Sequence, residues 1–207
     1  MKIIVGLSGA SGSVYGARLL EVLRSAYPGV ESHLIVTRAG RRVLRHETEW
    51  DVSDLARLAH TAYPDSDIGA PPASGSAGFD AMVVAPCSVK SLGNIAAGTG
   101  ENLLCRSADV TLKEGKRLVL LVREMPLSAI HLENMLKLAR LGVMILPASP
   151  GFYFEPREIS DLVDHVVGKT LNALGLEQDL FEKWRGQRPD RHEGALLPGE
   201  GGEELVN

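Results

Sequence analysis

The chain has 207 residues, 44% of them hydrophobic and 23% charged, which is the make-up of one globular domain with a substantial core. Its net charge of −4 leaves no broad basic surface for nucleic acid, and no apolar run approaches the roughly 18 residues needed to span a bilayer. Cys87 and Cys105 have neither metal-ligand spacing nor a disulfide framework, and the sequence starts without a cleavable leader, so a reduced, cytoplasmic setting is expected.

Residues 2–7 form a short β-branched run, hence a buried strand. The turn Gly9-Ala10-Ser11-Gly12 follows, and a helix over 14–26 carries Leu19, Leu20 and Leu23 until Pro28-Gly29 ends it. Strand, glycine turn and helix is how α/β proteins build an anion site at a helix start. His33-Leu34-Ile35-Val36 reads as the second strand, closed by Thr37 and Arg38, with a helix over 39–47. Asp51 or Ser53 would cap a short helix through His60. Residues 63–78 are rich in Pro, Ala, Gly and Ser and read as a long functional loop.

Residues 81–85 make the third strand, ending in Pro86-Cys87-Ser88, before a small-residue helix to Ala97. A helix over 102–114 precedes the almost wholly apolar strand 117–122, as expected where a parallel sheet is covered on both faces. The next helix shows Leu132, Met135, Leu136 and Ala139 on one face. Residues 143–146 form the last strand, stopped by Pro147, and a long helix carries Ile159, Leu162, Val163, Val166, Val167 and Leu171. The expected domain covers residues 1–184, and 185–207 read as a disordered tail.

Alternating strands and helices predict a Rossmann-like, flavodoxin-like doubly wound parallel sheet in three α/β/α layers. Five loops with polar or small residues, at 8–13, 37–38, 86–91, 123–124 and 147–153, converge on the carboxyl rim, where such sheets bind ligands. Several chemistries are excluded. The P-loop pattern is absent, and G-x-S-x-G fails in both frames around Ser8 and Ser11. Thr37-Arg38 replaces the acidic residue expected of an NAD site, so a mononucleotide such as FMN is more natural. His46-Glu47-Thr48-Glu49-Trp50 begins like a zinc-protease motif but ends in Trp. No metal site is expected, and each of the six histidines reads as surface or satisfied core. Lys90, Arg106 and Lys113 default to surface charge, whereas Arg123 ends a buried strand at the ligand rim. Glu47 and Glu124 are candidate proton-transfer groups, on the premise that a carboxyl near a flavin and a phosphate is tuned towards neutral pH.

Seven stretches, in order, resemble the UbiX-type (Pad-type) flavin prenyltransferases. They are Ser8-Gly9-Ala10-Ser11-Gly12, Ala70-Pro71-Pro72-Ala73-Ser74-Gly75-Ser76, Pro86-Cys87-Ser88 and Ala108-Asp109-Val110-Thr111-Leu112-Lys113-Glu114, then Arg123-Glu124-Met125-Pro126, His131-Leu132-Glu133-Asn134-Met135 and Pro147-Ala148-Ser149-Pro150-Gly151-Phe152-Tyr153. The resemblance runs from residue 2 to about residue 184. It implies transfer of a dimethylallyl group from dimethylallyl monophosphate to N5 and C6 of reduced FMN, without a metal. The product, prenylated FMN, would serve UbiD-type decarboxylases, and the assembly would be a homo-oligomer, a dodecamer.

By motif, Gly9, Ala10 and Ser11 would contact the flavin, with Thr37 beside it. Ser88, Val89, Lys90 and Ser91 would form a second flavin turn, and Arg123 would also meet FMN. Tyr153 and Lys169 would hold the prenyl phosphate; the second position is commonly Arg, and Lys keeps the charge without the bidentate fork. Lys113 and Glu124 belong to the same phosphate neighbourhood, reached from an adjacent subunit, and Trp184 would cover the prenyl chain. Glu47 with Ser11 would take the C6 proton, and Glu124 would handle the proton of the first step. Two other readings share the fold: an FMN-dependent cysteine decarboxylase-like flavoprotein and a non-catalytic flavin-binding decarboxylase subunit. The first typically has a Pro-Ala-Ser-Ala-Asn-Thr-like stretch where this chain has Pro72-Ala73-Ser74-Gly75-Ser76, without the Asn.

Overall fold

A computed structural model describes residues 1–184 and Gly186; the expected tail otherwise lies outside the described residues. Six strands form one sheet: β1 Lys2–Leu7, β2 Glu31–Val36, β3 Thr61–Pro64, β4 Ala81–Cys87, β5 Arg117–Val122 and β6 Met144–Pro147. Their order is β3-β2-β1-β4-β5-β6, and every neighbouring pair is parallel. The helices are α1 Ser13–Ala26, α2 Arg38–Glu47, α3 Val52–Leu58, α4 Val89–Ala97, α5 Leu103–Lys113, α6 Ala129–Arg140 and α7 Ile159–Leu174. None of these described helices is long and apolar enough to cross a membrane.

Alternation along β1 sorts the core into two layers. Ile3, Val5 and Leu7 face a cluster with Leu19, Leu20 and Leu23 of α1, Leu55 of α3 and Val166, Val167 and Leu171 of α7. Ile4 faces the opposite cluster, with Leu92 of α4, Leu104 and Ala108 of α5 and Leu138 of α6. This is the expected three-layer arrangement. The chain reverses strand order between β1 and β4, so the loops after those two strands diverge and leave a crevice at the carboxyl rim.

Three expectations change. The stretch 63–78 is not all loop. It begins within β3 and contains two 3-10 turns, Pro71–Ala73 and Gly75–Ala77. β3 pairs only with β2, so its terminal Pro64 disturbs no second neighbour. Thr61-Ala62-Tyr63-Pro64 lacks an apolar run because half of it faces solvent. Without β3, the remaining order is the flavodoxin one; with it, the order is that of the Rossmann sheet.

The third expected strand also continues through Pro86 to Cys87, with a register shift against β5 after Val84. The α6 face read from its periodicity is largely uncovered: Leu132 and Leu136 are 52% and 51% exposed, and Leu138 is the buried residue of the helix. Spacing marks an apolar face, but whether anything covers it depends on the neighbouring layer. Of the two cap candidates for α3, Asp51 is the cap, in a capping box with Asp54.

Candidate functional site

Ser8 ties the ends of β1 and β4 together at the strand reversal. Its buried hydroxyl donates to the Pro86 carbonyl at 2.9 Å and accepts from the Ser88 N–H at 2.7 Å. Two helix starts are thereby placed beside each other. Thr37 caps α2, its buried hydroxyl accepting from the Gly40 N–H at 3.0 Å, and Ser88 caps α4, accepting from the Ser91 N–H at 3.3 Å. Close packing holds the turns: a Cβ on Gly9 would lie 2.5 Å from Ala39 Cβ, and one on Gly40 would lie 2.7 Å from the Leu7 carbonyl oxygen.

These turns border an open cavity of about 820 Å³, lined by Gly9, Thr37, Ser88, Lys90 and Ser91 among the expected residues. Val89 is the first residue of α4 beside it. The cavity suits a nucleotide-sized ligand, and the starts of α2 and α4 favour an anion there. Arg38, Arg41, Asn94 and Asp65 also line it. The Arg38–Arg45 run of basic residues behind Thr37 was the available signal for Arg41; nothing local pointed to Asp65, whose carboxyl is pushed up by burial. Replacing Thr37 by Val should cost about 1 kcal/mol in urea unfolding, as the Gly40 N–H loses its cap. It should also weaken retention of FMN; a variant matching the parent in both would remove Thr37 from the site.

The start of α1 differs from the sequence reading. Its Gly12 and Ser13 N–H groups do not face an open anion site; both donate to Glu47 Oε2, at 2.8 and 3.1 Å. Gly12 allows this with a left-handed φ of 101°. Arg123 reaches the same loop, donating from Nε to the Ser11 carbonyl at 3.1 Å. Burial, the largest single influence on Glu47, pushes its carboxyl up. The Ser11 hydroxyl, the two backbone N–H groups and the Arg123 charge together outweigh it and hold the group below its ordinary value. The expectation of a carboxyl tuned towards neutral pH is thus reversed for Glu47. Ser11, Glu47 and Arg123 form one linked group; the sequence reading had paired Glu47 with Ser11 but placed Arg123 only against FMN, and Ala10 beside them is buried. Glu124 is half-buried beside Arg123, and its Oε1 accepts from the Met125 N–H at 3.1 Å.

Tyr153, Lys169 and Trp184 gather separately, beyond the carboxyl end of β6. The rings of Tyr153 and Trp184 lie 5.8 Å apart, and Lys169 Nζ sits 5.7 Å from the Phe181 ring centre. Lys169 lies on α7, and Tyr153 and Phe181 both pack on His165 of the same helix. Lys113 is not with them. It ends α5, whose start is bonded to Asp65 at the cavity, so Lys113 lies about 15 Å along the helix from that rim and pairs with Glu114. Within one chain it does not reach the site.

A Rossmann-type sheet with a nucleotide-sized crevice and hydroxyl-capped helix starts at its rim is the architecture of a mononucleotide-binding protein. Residues 1–171 match the family model described as Flavoprotein. The probable UbiX-like flavin prenyltransferase of Bacillus subtilis is 46% identical over 186 residues, covering 90% of each chain. A dodecameric FMN-dependent UbiX-like decarboxylase from Escherichia coli O157:H7 superposes with a TM-score of 0.88 at 46% identity, over 90% of this chain and all of that one. AnUbiX in complex with FMN and dimethylallyl pyrophosphate superposes with a TM-score of 0.87 at 41% identity, over 90% and 98% of the two chains. The chain belongs to the flavoprotein family and, within it, to the UbiX-type flavin prenyltransferases.

Proposed function

We propose that this chain transfers a dimethylallyl group from dimethylallyl monophosphate to N5 and C6 of reduced FMN, making prenylated FMN. The carrying observation is the crevice between the β1 and β4 loops, lined by the capped starts of α2 and α4, with Glu47 and Arg123 bonded to the loop and helix start that follow Gly9. Gly9, Thr37, Ser88, Lys90 and Ser91 would hold the flavin nucleotide, which supplies the nucleophilic nitrogen and the ring carbon that are alkylated. Arg123 anchors the 9–12 loop against it. Tyr153 and Lys169 would bind the prenyl phosphate; their donors stabilise charge that develops on the leaving group as the allylic C–O bond breaks. The aromatic wall of Tyr153, Phe154, Phe181 and Trp184 would favour the cationic allyl group and keep water from trapping it. Glu47 with Ser11 would take the C6 proton, and Glu124 would serve the first step.

A homo-oligomer, a dodecamer as in the E. coli relative, would cover the exposed α6 face and bring Lys113 of a neighbouring subunit to the phosphate. A UbiD-type decarboxylase would receive the product, in the cytoplasm. The test is anaerobic incubation with reduced FMN and, separately, dimethylallyl monophosphate or diphosphate, followed by flavin mass and absorption. The expected outcome is a mass gain of one isoprene unit with the monophosphate. Bound FMN with no gain from either donor would favour a non-catalytic flavin-binding subunit. Release of carbon dioxide from a peptidyl cysteine would favour the cysteine decarboxylase reading.

A further inference from the structure

His165 on α7 is 4% exposed, borders the prenyl-phosphate residues, and has no part in the chemistry above. Three rings fix its plane. Phe154 stacks on it with centroids 5.0 Å apart and planes within 5°, Phe181 lies 4.6 Å away, and Tyr153 stands edge-on at 5.8 Å. Phe181 comes this close because residue 168 is glycine; a Cβ there would lie 2.6 Å from the ring.

Both imidazole nitrogens are engaged. The Gly151 N–H donates to Nδ1 at 3.4 Å, and Nε2 faces the Tyr153 hydroxyl at 3.5 Å. A backbone N–H can only donate, so Nδ1 must be the bare nitrogen. Burial first, and then the Lys169 charge, hold His165 below the ordinary imidazole range, so at pH 7 the ring is neutral with its proton on Nε2. That Nε2–H donates to the Tyr153 oxygen. The tyrosine's own proton is then left for another acceptor on the side of its hydroxyl away from His165, with Trp184 edge-on to the tyrosine ring.

We propose that His165 is a positioning residue: held as the Nε2–H tautomer by Gly151, it orients the Tyr153 hydroxyl to donate to the prenyl phosphate. This rests on the assignment of Tyr153 to that phosphate given above. Both contacts are at the long end of the hydrogen-bond range, and bonds at such sites tighten in the substrate complex.

The test compares His165→Phe, which keeps the ring stack and loses both nitrogens, with Tyr153→Phe and the double variant. His165→Phe should raise KM for dimethylallyl monophosphate about tenfold, with kcat changed less and FMN affinity unchanged. In the Tyr153→Phe background the same change should add nothing, which a merely structural role would not produce. Nitrogen-15 NMR of histidine-labelled parent protein should show Nδ1 bare and Nε2 protonated, and this readout needs neither turnover nor a folded variant. An unchanged KM, a full additional loss in the double variant, or an Nδ1–H tautomer would each overturn the proposal. A parent protein that binds FMN but does not prenylate it would sink the functional reading instead, while the tautomer measurement would still judge the His165–Tyr153 arrangement.

Discussion

Glu47→Gln should lower formation of ring-closed prenylated FMN by roughly 100-fold or more, the range expected when a positioned proton acceptor is removed. The substitution is nearly isosteric, but it removes the negative charge that two α1 N–H groups and Arg123 converge on. Flavin alkylated but not closed should build up in its place, visible as the correct mass with the wrong absorption spectrum. Normal ring closure by the variant would remove Glu47 from the chemistry. Stability should follow the same charge. Because the folded pKa is depressed, the contribution of Glu47 is present above the unfolded carboxylate pKa and is lost as pH falls through the folded one. Parent and variant should therefore differ in urea midpoint at pH 7 and converge in acid.

Gly16→Ala should destabilise the fold by about 3 kcal/mol, as overpacked cores do. A Cβ at Gly16 would lie 2.3 Å from the Ala85 carbonyl oxygen and 2.8 Å from Leu7 Cγ, so α1 would have to retreat from both β1 and β4. The main clash is with backbone, which cannot swing aside as the tip of a flexible side chain can. Retreat would also draw Gly12 and Ser13 away from Glu47, so FMN retention should fall with stability. Urea unfolding within 1 kcal/mol of the parent, with FMN binding intact, would show that the helix–sheet contact is not as tight as described.

Most elements were legible because their signals are local. β1, β4 and β5 are buried on both faces and so read as unbroken apolar runs. Thr37 and Ser88 could be picked out from their places at strand ends and from the motif resemblance, whereas their capping of α2 and α4 shows only in the structure. β3 was not legible, since its identity lies in hydrogen bonds to β2 and its side chains alternate between half-buried and exposed. His165 looked like any other core histidine. Only the approach of Gly151, Tyr153, Phe154 and Phe181 from distant parts of the chain sets its tautomer and surroundings.

The sequence by itself determined the alternation of strands and helices, the carboxyl rim as the ligand edge, and the family. The first two follow from periodicity and turn chemistry, which neighbours along the chain carry; the family came only from the resemblance of seven ordered motifs. Only the tertiary structure decided that Glu47, from the end of α2, occupies the α1 helix start, and that Lys113 sits at the far end of α5. It also decided that the apolar face of α6 lies open. Each of these depends on how separate elements are placed against one another, and no local pattern encodes that placement.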